Sequence, residues 1–338
     1  NDYGAVGVFD SELLLDRNWI VENVCNEAAG LYLSRVEPFT MTNNVIAGNV
    51  AATSPQTWGK GGGVHIWDNS GRLSAVLQGN VIQNNVANLA QDGLDSYGGG
   101  VYILGMNDVL LADNQILGNT AENGGGVYLD QSPGATFSGN LIADNNNGPW
   151  AGGVQLGYSD GSTFAGNTFS GNDGAGLLLQ SSGLVHLEGN TFQGNAGCGA
   201  KVQGGDVTAL DNVFTGNGTA GIGDEYALSM GGPALVEGNL VSGNNENGLQ
   251  VSAGLGVTAV VRNNTIVDNL GRGLHISGQG VVQGPCAVEP VVGAPRAEKR
   301  QDAGRLPRAE REICGGHAAL RDPPAPDRRP VAPAGQAE

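Results

Sequence analysis

Tyr32, His65, Tyr102 and Tyr128 each stand between two apolar residues just after a glycine. Gln155, Leu178, Lys201, Gln250 and His275 occupy the same place further along, and two residues later the chain puts Trp67, Leu104 and Asp130 in turn. If those segments are strands, all these side chains point to one outer face. Trp58 and Trp150 fall in loops beside its aromatic end. Flat aromatics over a groove can stack on sugar rings. The same rings stacked only on one another would stabilise a sheet surface and bind nothing. Both readings stand on the sequence, with Tyr32, His65, Trp67, Tyr102, Tyr128, Asp130, Gln155, Trp58 and Trp150 as the candidate binding residues.

Catalysis on such a face asks for more. Glycoside hydrolysis needs paired carboxylates, and the face offers Asp130, with Lys201 three repeats away. Arg35, Arg72, Arg262 and Arg272 are scattered among repeats. The loop Asp92-Gly93-Leu94-Asp95 carries oxygen ligands suited to Ca²⁺, or is a solvated turn. His65, His186 and His275 read as exposed sheet residues. No nucleophile elbow, phosphate loop or HExxH motif is present.

A repeat must position these residues. The word N-x-h-x-x-N, with h apolar, begins at Asn18, Asn44, Asn80, Asn114, Asn140, Asn167, Asn190, Asn212, Asn239 and Asn264. Successive first asparagines are 26, 36, 34, 26, 27, 23, 22, 27 and 25 residues apart. The shortest spacings mark a bare coil; the longer ones add loops, chiefly at 51–60 and 87–97, both on one edge, with a third at 148–151. A period of this length means a stacked array. Each unit divides into three short strands: one before the first asparagine, one around h, one after the glycines. None can pair with itself, so pairing must run between coils about 4.8 Å apart. The expected fold is all-β: a single-stranded parallel β-helix of about ten coils and three parallel sheets around an apolar core.

The corners support this. Arg17, Asn43, Gly79, Asp113, Gly139, Gly166, Gly189, Asp211, Gly238 and Asn263 precede the first asparagines. Glu22, Gly48, Asn84, Gly118, Asp144, Gly171, Gly194, Gly216, Gly243 and Asp268 precede the second ones. Exchange of Gly, Asn and Asp at one site marks a backbone of positive φ. The asparagines themselves should form ladders, each amide bonding a neighbouring coil. GIGDEYALSMGG, 221–232, fits the template poorly and leaves its register open.

The net charge is −17, yet residues 285–338 hold nine basic and eight acidic side chains, so the body before them carries seven against twenty-five, a balance of −18. Such a surface repels phosphate backbones, which argues against nucleic-acid binding. No apolar run approaches the roughly 20 residues of a membrane span. The four cysteines are widely spaced and form no CxxC; Cys25 and Cys198 read as small core or turn residues. Residues 284–338 are another kind of sequence, without Asn, Ser, Thr, Phe, Tyr, Trp or Met but with nine of the 14 prolines. They read as a disordered linker or as out-of-frame translation. Residues 1–283 are expected to be the repeat domain, truncated at its start, since the chain opens without methionine directly onto a repeat.

KGGGVHI, YGGGVYI and NGGGVYL, each preceded by an N-x-I-x-x-N-x-A word (44–51, 80–87, 114–121), resemble the GGA-I and FxxN repeats of polymorphic outer membrane proteins. Residues 10–283 as a whole are similar to the right-handed parallel β-helix superfamily with the pectate-lyase-like fold. This chain has Ile where many of those repeats have Phe. The resemblance implies an extracellular or cell-surface bacterial module, monomeric, without an obligate cofactor, used for adhesion or carbohydrate contact. It also implies an alternative: a polysaccharide lyase or glycoside hydrolase acting on an acidic or plant-type polysaccharide, in which carboxylates would hold Ca²⁺ near an Arg or Lys base. The fold is shared by both kinds of protein, so it does not choose between them.

Overall fold

The computed structural model describes residues 4–51, 59–68, 74–87, 96–146, 151–180, 183–218, 226–253, 256–283 and 287–289. It contains three sheets of eleven parallel strands, and every strand pairs with those one repeat before and after it. The post-glycine sheet runs from Val6–Phe9 through Val64–Trp67, Val101–Leu104 and Val127–Asp130 to Leu274–Ser277. The pre-asparagine sheet runs from Leu13–Asp16 to Gln279–Gln283, and the inter-asparagine sheet from Trp19–Val21 to Ala287–Glu289. This is the expected parallel β-helix. Its additional strands are Val6–Phe9 at one end and the pair after Ser277 at the other, so each sheet has eleven strands where about ten coils were expected. Ala287–Glu289 pairs with Thr265–Val267; the rest of the proline-rich tail lies outside the described residues.

Register is in phase throughout, so like residues stack on like. Val127 and Leu129, Phe137 and Ile142 close one rung from its three sides, and all are wholly buried. Together with their equivalents they form one continuous core. Burying each such side chain stabilises the fold by roughly 1.5–3 kcal/mol. In the middle rungs Phe169, Phe192 and Phe214 stack face to face at 4.7 Å.

The corners have the backbone that their residue types require. All twenty corner positions named above take positive φ, from 53° at Asp211 to 70° at Gly238. Arg17 (55°) and Glu22 (57°) adopt it without the usual residue type. Behind each corner stands its asparagine. The backbone N–H and Nδ2 of Asn114 both donate to Oδ1 of Asn140, and Nδ2 also donates to the carbonyl of Leu77. Asn119 does the same with Asn145 and Ile82. From Asn44 onward these amides are at most 4% exposed, and both ladders are continuous. A buried amide so fully partnered is stabilising, where an unpartnered one would be costly.

The glycine run serves the second ladder. A Cβ on Gly100 would fall 2.6 Å from the carbonyl oxygen of Gly126 and 3.0 Å from Nδ2 of Asn119. Gly63 meets Gly100 and Asn85 in the same way, and Gly126 meets Gly153 and Asn145. Only a residue without a side chain lets the backbone pass this close to the asparagine column.

The open register closes here: Tyr226–Gly231 is a strand that aligns Lys201 with Ser229 and Ser229 with Gln250. Cys25 and Cys198 are both buried. Cys25 sits with Ala29 and Ala51; Cys198 sits with Ala151, Ala175 and Leu178.

Candidate functional site

The post-glycine sheet aligns Tyr32 with His65, His65 with Tyr102, Tyr102 with Tyr128 and Tyr128 with Gln155. Parallel in-phase pairing puts one such side chain on every rung. His65 lies edge-on between two tyrosines, with ring centroids 4.9 Å from both Tyr32 and Tyr102. Tyr102 stacks on Tyr128 at 5.8 Å, and Phe9 extends the row beyond Tyr32. Aromatic pairs in these geometries add about 0.5–1.5 kcal/mol beyond the area they bury.

This row is not the open strip that alternation suggested. Tyr32 is 8% exposed, His65 6%, Tyr102 5% and Gln155 4%. His65 is therefore a buried residue, not an exposed one. The reason is spacing: rungs lie closer together than aromatic rings are wide, so each ring is covered by its neighbours. Two further residues complete the cover. Tyr97 packs against Tyr102 and Tyr128, and Nζ of Lys60 sits 5.8 Å over the Tyr102 ring. Sequence reasoning missed both, although each directly precedes a glycine run and the structure bridges Lys60 to Tyr97 and Tyr97 to Asn123. What remains half-exposed is Trp67, Leu104, Tyr128 and Asp130, together with Lys60 and Tyr97.

Burial sets the charge states. His65 is pushed down to about 3 by desolvation, with Lys60 adding to the effect, so its imidazole is neutral across physiological pH. Its Nδ1 has no hydrogen-bond partner among the described residues. Burial raises the Tyr102 hydroxyl, and the nearby Asp130 and Tyr97 reinforce that. Desolvation likewise raises the Asp130 carboxyl, against the opposing hydrogen bonds from Gln131. A neutral histidine and a protonated tyrosine leave the rings of His65 and Tyr102 uncharged.

Asp130 occupies a particular place. Its neighbour on the next rung is Gly157, followed by Gln180. A Cβ on Gly157 would meet Oδ1 of Asp130 at 3.0 Å and the Tyr128 hydroxyl at 3.9 Å, so the missing side chain lets both groups lean over the glycine. Gln155, aligned with Tyr128, donates from Nε2 to Oε1 of Gln180 at 3.3 Å. Oδ1 of Asp130 and Oε1 of Gln155 are buried acceptors without a donor among the described residues.

Past Gln155 the row changes character. Leu178 is buried, Lys201 is exposed, and Ser229, Gln250 and His275 are half-buried. His186 belongs to another face, that of the pre-asparagine sheet, where it is half-buried with Nε2 3.0 Å from Glu188. Arg35 pairs with Asp10 and Arg262 with Glu237, both away from Asp130 in the stack. Arg272 donates its backbone N–H to Asn247. Trp58, Trp150, Arg72, Asp92 and Asp95 lie outside the described residues. Among the described residues no three of His, Cys, Asp and Glu gather to hold a metal ion. No helix there is long and apolar enough to cross a membrane.

The model of the right handed beta helix region matches residues 62–226. No curated protein matches the chain in sequence. Among solved structures, the periplasmic alginate epimerase AlgG is similar at 13% identity and a TM-score of 0.32, over 82% of this chain and 77% of that one. The Dettilon tailspike protein (gp208) is similar at 14% identity and a TM-score of 0.30, over 81% of this chain and 61% of that one.

Proposed function

Since the chain is a right-handed β-helix repeat protein, we propose that it is a binding module of the bacterial cell surface or extracellular space, contacting carbohydrate through its post-glycine face. The observation that supports this most is the aromatic row itself. Four consecutive rungs put a ring at one position, in register from Tyr32 to Tyr128, and Phe9 on the rung before packs against Tyr32 from out of register. At its half-exposed end Tyr128 and Tyr97 offer ring surface on the rung of Asp130 and the one before it, and Trp67 stands two rungs from Asp130 in the same column. Sugar recognition uses that combination: an apolar platform with a few placed polar groups. The module acts as a monomer, without nucleic acid as a partner and without an obligate cofactor; Ca²⁺ held by Asp92 and Asp95 is the cation contact we would test.

The alternative, a polysaccharide lyase or glycoside hydrolase, draws on one feature. Asp130 has its carboxyl raised by burial, as a general acid requires. Such an enzyme also needs a second carboxylate or a base facing Asp130, and His65, neutral and weakly basic, is a poor base.

One experiment separates these readings. The chain is applied to a glycan array, and every glycan that binds is incubated with it and assayed for new reducing ends and unsaturated products. Binding without either product supports the module. Product formation abolished by Asp130→Asn would replace it with the enzyme. No binding and no product would remove carbohydrate from the account.

A further inference from the structure

The donor–acceptor balance around Gly157 bears on which carbohydrate this face takes. Asp130 Oδ1 and the Tyr128 hydroxyl converge over Gly157, and Gln155 reaches across the next rung to Gln180. Within this group, Asp130 Oδ1 and Gln155 Oε1 are acceptors with no donor among the described residues. Gln155 is 4% exposed, and a buried acceptor left without a donor is costly. A ligand that completes the group must bring hydrogen-bond donors and no additional negative charge.

Charge over the whole body points the same way. Residues before Pro285 carry seven basic and twenty-five acidic side chains. A chain of that sign repels polyanions at long range. Within the cluster the charged group is an acid, Asp130; the amine nearest the row, Lys60, lies over Tyr102, on the rung before Tyr128.

Resting on the carbohydrate-contact reading above, we infer that the cluster over Gly157 is a subsite for a neutral hexopyranose. Two adjacent hydroxyls of the sugar donate to Asp130 Oδ1 and Gln155 Oε1, and the ring lies along Tyr128. Uronate-bearing chains are discriminated against, since their carboxylates supply no donor and meet Asp130 with like charge. The glycine is part of the subsite, because any side chain there would push Asp130 away from it.

The test is titration calorimetry of the full chain with oligosaccharides of neutral glucan, mannan and galactan, and in parallel with oligogalacturonate and alginate oligomers. The variants are Gly157→Val and Asp130→Leu, each checked for unchanged circular dichroism and thermal unfolding. Gly157 has no positive φ and lies in a strand, so valine is compatible with its backbone. The expected result is binding of a neutral oligosaccharide that weakens about tenfold or more in both variants, as loss of two hydrogen bonds predicts. Should either variant unfold, Gln155→Leu, which removes the second acceptor at similar volume, is expected to weaken the same ligand.

Each other outcome overturns the inference in a distinguishable way. Neutral binding unaffected by the variants would leave carbohydrate contact standing and remove this subsite. Binding of the uronate oligomers in preference would leave the subsite and reverse its ligand class. Ca²⁺ alone binding to the wild type and lost in Asp130→Leu would make the cluster a cation site. No binding of any probe would remove the reading beneath it as well.

Discussion

Rings stack twice in this molecule, and the two stacks behave differently. Inside the middle rungs, Phe169, Phe192 and Phe214 lie at 4.7 Å with interplanar angles of 5° and 1°. Outside the first rungs, Tyr32, His65 and Tyr102 are spaced at 4.9 Å but cross at 82° and 79°. The backbone repeat is the same in both regions, so the rung spacing alone does not decide ring orientation. Inside, neighbours from three sheets confine each ring to one rotamer and parallel stacking results. Outside, Tyr32, His65 and Tyr102 turn edge-to-face, the arrangement their quadrupoles favour, and the row returns to stacking between Tyr102 and Tyr128, at 16°. The two stacks also alternate along the molecule: the inner h positions are isoleucine where the outer row is aromatic, and phenylalanine where the outer row is Gln155, Leu178 and Lys201. At the h position, then, the core turns aromatic on the rungs where the outer row stops being so.

The sharpest way to break this comparison is to remove one ring from each stack. Phe192→Ala should cost about 3–5 kcal/mol, because it leaves a cavity that fixed sheets cannot close. Tyr128→Ala, at the half-exposed end of the outer row, should cost about 1–2 kcal/mol. Urea unfolding of both variants measures the difference; equal losses would mean the outer row is as much core as the inner one.

The asparagine ladders should ignore the boundary between the two regions. Asn119→Ala strips an acceptor from the N–H and Nδ2 of Asn85 and a donor from the Ile82 carbonyl. Asn195→Ala does the same to Asn172 and Phe169. With three buried groups each losing a partner, each variant should lose roughly 3 kcal/mol. A clearly unequal loss would show that the ladder depends on which stack it borders.

Acid should weaken the outer stack selectively. His65 is held near 3 in the folded chain against 6.5 when free, so the unfolded chain binds the proton first. A depressed folded value contributes stability that is whole above pH 6.5 and declines as pH falls from there toward 3. The slope from this one residue approaches about 1.4 kcal/mol per pH unit. His65→Phe should remove that part of the acid dependence, read from unfolding midpoints at pH 7, 6, 5 and 4; an unchanged slope would mean that His65 is protonated within the fold.

The smallest effects belong to the corners, which both regions share. Glu22→Gly, relieving a side chain at φ 57°, should gain up to about 1 kcal/mol, and Gly194→Ala, at φ 62° with open space around it, should lose about as much. Thermal unfolding checks both.

Much of the fold was legible because its rules are local and repeat. Positive φ restricts residue type at a single position, and ten copies of Gly118 and its equivalents made that restriction visible. Burial on the outer face was not legible in the same way. His65 reads as an outward residue by alternation, and it does point outward; that it is also buried follows from rings on adjacent rungs, which are 33 and 37 residues away in the chain at Tyr32 and Tyr102. The cluster over Gly157 was equally hidden, since a glycine at a strand end carries no sign of what leans across it.

By itself, then, the sequence determined the winding, the phase of the rungs and the inward and outward sets, since each depends on residues within one repeat. Tertiary structure alone decided which outward groups lose water and which polar atoms are left without a partner. Desolvation and hydrogen-bond pairing belong to neighbours across rungs, and no spacing within one repeat encodes them.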